Sequence, residues 1–145
     1  MQQESNREYA ELKKFLAYFA DHFFNVDSLP LERRPIATLE ALEKKSMKTA
    51  FDGLRQAIND CIEMSFRLDR EDVAKLDRQL RTLGIVTLSE LRRRYSKKYA
   101  GIIERGQIRN DSEYHLIRNV LGDPSTKAVE ERELLENLIA NYEGT

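Results

Sequence analysis

Apolar residues recur at intervals of three and four along almost the whole chain, and nowhere do they alternate over a strand's length. Tyr9, Leu12, Leu16, Phe19 and Phe23 lie on one helical face. Phe15 and Phe24 widen that stripe, and Ser5 with Glu8 reads as a capping box ahead of it. Pro30 and Pro35 interrupt helical hydrogen bonding, so residues 25–35 are expected as an extended connector, with Leu29 and Leu31 pinned to the body. From about Ile36 to Phe66 two stripes follow, Leu39 with Leu42 and then Phe51, Leu54, Ile58, Ile62 and Ser65. The apolar-free run Glu43-Lys44-Lys45-Ser46 between them marks one long helix or two.

Asp69 or Asp72 caps a helix carrying Val73, Leu76, Leu80 and Leu83, which Gly84 ends. Thr87-Leu88-Ser89-Glu90 opens another, expected to run unbroken to Gly106. Asp111 or Ser112 caps a short helix through Tyr114, Ile117 and Leu121. The last, about Ala128 to Tyr142, offers Leu134, Leu135, Leu138 and Ile139. The pattern predicts an all-α protein, a compact bundle of six or seven helices. It forms one domain over 1–145, with residues 1–35 as helix and connector and 36–145 as helical body.

Composition sharpens this picture. Six Gly and three Pro in 145 residues are few for a many-turned β-sandwich or barrel. A single cysteine, Cys61, excludes an internal disulfide framework and a cysteine-based zinc site. It sits among Ile58 and Ile62, where a small core residue fits. The longest apolar run, Phe15 to Ala20, is far too short to span a membrane. The opening Met-Gln-Gln-Glu-Ser lacks the basic and apolar regions of a signal peptide, so a cytoplasmic protein is expected.

Charge changes the picture most. The formal net charge is −1, yet residues 1–69 sum to −2, residues 70–109 to +6 and residues 110–145 to −5. The basic excess concentrates between Thr87 and Arg109. Leu88, Leu91, Tyr95, Tyr99 and Ile102 share one helical face there, and Arg92, Arg93, Arg94, Lys97, Lys98, Arg105 and Arg109 supply positive charge. On an unbroken helix Arg94, Lys98 and Arg105 would form one edge, with Gly101 leaving room for close approach. Such a row suits a phosphate backbone, whose binding weakens steeply with salt, or the carboxylates of an acidic protein. It also suits internal pairing with the acidic face Glu130, Glu131, Glu133 and Glu136. In that case deleting residues 126–145 should unmask nucleic-acid retention. The two helices flanking Gly84-Ile85-Val86 have helix-turn-helix spacing, a pattern that any two helices joined by a glycine turn produce.

Catalytic chemistry finds no constellation. His115 aligns with Asp111 and Asn119 at i−4 and i+4, but no nucleophile accompanies them and Asp111 is better placed as a cap. His22 has no second histidine at metal-ligand spacing, and no phosphate-binding glycine loop or nucleophile elbow occurs. No enzyme, metal or cofactor is expected. The sequence points to a macromolecule-binding protein of adaptor, antitoxin-like or immunity type, with a protein partner favoured over nucleic acid and no membrane. The aromatic first helix, with Tyr18 at its stripe's edge, is a candidate arm for a homodimer.

Overall fold

The computed structural model describes residues 2–144 and is all-α, with eight α-helices and two short 3-10 helices among those residues. Among the described residues no helix is long and apolar enough to cross a membrane. The chain divides into two compact units, 1–64 and 65–145.

In the first unit α1 (Gln2–Phe23) begins earlier than its apolar stripe requires, so Ser5 lies inside the helix and caps nothing. Its stripe is buried from Tyr9 through Phe19, with Leu12 and Phe15 fully covered and Phe15 stacked on Phe19, whereas Phe23 at the end of the expected stripe is exposed. The expected extended connector is instead wound into two 3-10 turns, Val26–Ser28 and Leu31–Arg33. Leu29 and Leu31 are exposed rather than pinned. Pro35, whose missing N–H costs nothing at a helix start, occupies the first turn of α2 (Pro35–Lys45). Ser46, in extended backbone, separates it from α3 (Met47–Ser65), which resolves the choice between one helix and two. Lys13 bridges to Glu43 at 2.9 Å and Tyr9 donates to the same carboxylate, fixing α1 on α2. Tyr9 also meets the Phe51 ring of α3 edge-on at 5.5 Å. Cys61 is completely buried, and burial pushes its thiol up to about 12, so it is an inert core residue.

The second unit holds α4 (Arg70–Thr82), α5 (Leu88–Tyr95), α6 (Lys97–Arg105), α7 (Asp111–Gly122) and α8 (Val129–Glu143). Helix α7 packs against the other four, and α5 also rests on α4 and α6. Asp69 caps α4 by accepting from Asp72 N, and Thr87 caps α5 by accepting from Glu90 N. Gly84 and Gly106, with φ of 72° and 75°, make the left-handed turns that end α4 and α6, which a side chain would strain. Asn110, one residue ahead of the expected caps, caps α7 through Glu113 N. The core joins Tyr99, Ile102, Ile108, Leu116, Ile117 and Val120 to Leu135, Leu138 and Ile139 of α8.

The expected unbroken basic helix is in fact two. Ser96 adopts extended backbone and its hydroxyl accepts from Tyr99 N, ending α5 and capping α6 together. The apolar spacing survives the break, because Leu88, Leu91, Tyr99 and Ile102 all remain buried.

Candidate functional site

The basic side chains of α5 and α6 go to separate destinations. Arg92 is not on the surface at all: it follows Leu88 by one turn and is 2% exposed, donating to Ser65 from Nε and Nη2 at 2.9–3.2 Å. Arg93 forms a two-pronged pair with Glu90 at 2.9 Å and reaches Glu131 of α8 at 3.0 Å. Arg94 pairs with the same Glu90, at 2.9 Å. Burial pushes the Glu90 carboxyl upward, but the hydrogen bonds and charges of the two arginines outweigh it and hold the carboxyl below its usual range.

Lys98 donates to Ser112 Oγ at 2.7 Å, while Arg105 binds Glu113 and the Gln107 carbonyl. Arg109 lies 3.6 Å from Glu113 and is mostly exposed. Lys97 projects into solvent without a partner among the described residues. The row Arg94, Lys98, Arg105 is therefore not one edge of a single helix: Ser96 divides it between α5 and α6, and carboxylates hold its two arginines. A Cβ on Gly101 would meet open space, so no close approach depends on that glycine.

On the acidic side, Glu131 alone of the four predicted carboxylates meets this segment, accepting from both Arg93 and Tyr99. Glu136 takes Arg132 of its own helix at 3.7 Å, and Glu130 and Glu133 face solvent with no partner among the described residues. Deleting residues 126–145 cannot unmask the basic segment cleanly, because it also strips Leu135, Leu138 and Ile139 from the core.

The His115 alignment does not form a triad. Asp111 accepts from Tyr142, Asn119 donates to the Arg70 carbonyl at 3.1 Å, and the exposed His115 ring meets Tyr114 edge-on. No group of three or more metal-ligating side chains occurs among the described residues.

A cationic groove lies instead between α4 and α7. It encloses about 410 Å³ and is lined by Arg70, Arg78, Arg81 and Arg118, with Glu71, Asp77 and Asp123. Arg81 reaches Asp123 at 3.4 Å. Arg70 and Arg118 stand 5.9 and 6.0 Å from the Tyr114 ring centroid. Among the described residues, no carboxylate pairs with Arg70, Arg78 or Arg118.

Two of the groove's carboxylates, Asp77 and Asp123, are buried. Asp123 accepts from Thr87 at 3.1 Å. Asp77 accepts from both the backbone N–H and the hydroxyl of Ser89, and burial raises its carboxyl to about 6 despite those bonds. Three arginines, two of them exposed and all without carboxylates, leave the groove able to receive anionic groups. On α4, Arg70, Arg78 and Arg81 fall at i, i+8 and i+11, a spacing that places them on one side and was legible beforehand.

Compared with protein-family models, curated proteins and solved structures, the chain matches none.

Proposed function

We propose that this is a non-catalytic cytoplasmic interaction protein, of adaptor, antitoxin-like or immunity type, that holds an acidic segment of a partner protein in the α4–α7 groove. The observation that carries the reading is the set Arg70, Arg78 and Arg118, gathered on one groove without carboxylate partners. The internal pairing of Arg93, Arg94 and Arg105 supports placing the partner surface there rather than on α5 and α6. Buried Asp77 and Asp123, with Glu71 at the lining, give the groove mixed charge, which suits a peptide better than a continuous phosphate backbone.

Nucleic acid is the second reading, favoured by the same unpaired guanidiniums, each of which could take a phosphate. Two measurements separate them. A protein partner should remain in stoichiometric complex after the lysate is treated with nuclease. A nucleic-acid function predicts DNA or RNA retention that falls steeply as salt rises. Loss of every complex on nuclease treatment, with salt-sensitive DNA retention, would overturn the protein reading. The exposed Glu130 and Glu133 of α8 form a second, anionic face in the same unit. Tyr9, Leu12, Leu16 and Phe19 of α1 are buried in the single chain, so a dimer formed by exchange of that helix would have to rebuild their contacts.

A further inference from the structure

Arg92 is a buried guanidinium that no carboxylate touches among the described residues. Its guanidinium lies 4.7 Å from the Phe66 ring centroid, and Ser65 takes up Nε and Nη2. Among the described residues no carboxylate comes within ion-pair distance of it. Asp77 acts on it through space without touching it. The two N–H groups of Nη1 have no acceptor among the described residues. No buried side-chain nitrogen or oxygen there lacks a partner, so Nη1 opens onto accessible space.

Arg92 of α5 also lines a cavity of about 300 Å³, together with Arg70 of α4 and Ser112, His115 and Asn119 of α7. Lys98 stands beside it, 4.9 Å from the same Phe66 ring, with its ammonium donating to Ser112 Oγ. Ser112 thus accepts from Lys98 and keeps its own proton to donate. The one carboxylate in the lining, Asp69, is engaged as the α4 cap by Asp72 N at 2.8 Å. Burying a guanidinium that touches no counter-ion is costly. A bound anion offsets that cost.

We propose that this cavity binds the phosphate group of a small phosphomonoester, with Arg92 Nη1 and the Ser112 hydroxyl as donors and Arg70 and His115 closing the site. Donors from three helices cannot lie in one plane, which suits the three oxygens of a phosphate better than the two of a carboxylate. The volume sits at the lower end of the range of about 300–1,000 Å³ usual for ligand pockets, so the phosphate would carry a small body. The inference is independent of the groove reading, since only Arg70 and Asn119 line both hollows.

Calorimetric titration of the full chain with inorganic phosphate, at constant ionic strength in chloride, tests it. Saturable one-to-one binding is expected, with acetate weaker by about tenfold or more. Ser112→Glu places a carboxylate against Arg92 from an exposed position and should weaken phosphate binding by about tenfold or more. Arg92→Lys, which keeps the charge and loses the fork, should weaken it as well. Arg78→Glu/Arg118→Glu, confined to the groove, should bind phosphate like the wild type. The proposal is overturned if the wild type shows no saturable binding, if acetate binds equally, if Ser112→Glu binds unchanged, or if the groove variant alone abolishes binding.

Discussion

Asp77 gives the second unit a pH-dependent contribution to stability. It is 4% exposed, and its folded-state carboxyl titrates at about 6 against an ordinary value of 3.8. A raised carboxylate binds its proton more tightly when folded, so its contribution to stability is greatest at acid pH and is lost as pH rises from 3.8 to about 6. A shift of this size corresponds to about 3 kcal/mol at most. In Asp77→Asn that titration disappears. The stability difference between variant and wild type, from urea unfolding, should therefore grow in the variant's favour between pH 4 and about 6 and stay flat above it. A constant difference across that range would contradict the account. Glu131→Gln should cost about 1 kcal/mol in the same assay, since it weakens one half-buried pair with Arg93 and alters the bond from Tyr99. The fate of Arg92 was partly legible: it sits one turn after Leu88 and one turn before Tyr95, on the apolar side of its helix. Helical spacing alone could not name Ser65 and Phe66 as its neighbours, because they come from a different stretch of chain.

Among the elements, the two serine breaks show how far periodicity reads. At Ser46 the apolar stripe stops for four residues and the interruption is visible in the sequence. At Ser96 the stripe continues across the break, because Tyr95 and Tyr99 keep a spacing of four, so one continuous helix looked consistent. The cap was encoded all the same, in a serine three residues before the N–H it binds. Ser96→Ala should lower stability by about 1 kcal/mol, seen as an earlier urea midpoint with an unchanged slope. An unchanged midpoint would mean that packing alone holds the break. Helix α8 belongs to the core as much as to the charge pattern. Leu135 is fully buried, and Leu135→Ala should cost about 2–5 kcal/mol by the same measurement. This is why point substitutions, and not truncation, are the usable probes of the acidic face.

Over the whole molecule, the segregated charge seen along the chain is real, but its use differs from its position. The segment richest in Arg and Lys spends Arg93, Arg94 and Arg105 on Glu90, Glu131 and Glu113. The unpaired guanidiniums lie on α4 and α7, outside the densest basic run. The α4 half of that groove was readable from the spacing of Arg70, Arg78 and Arg81. The contribution of Arg118 was not, since only tertiary packing brings α7 beside α4. The all-α class was legible because it rests on spacing repeated through the entire chain, whereas a groove rests on one contact between distant helices. The most direct test of the groove's role is co-purification from nuclease-treated lysate, comparing the wild type with Arg78→Glu/Arg118→Glu at matched folded stability. The account predicts a stoichiometric protein partner with the wild type and its loss with the reversed groove. The same partner retained in equal amount by both proteins would contradict it.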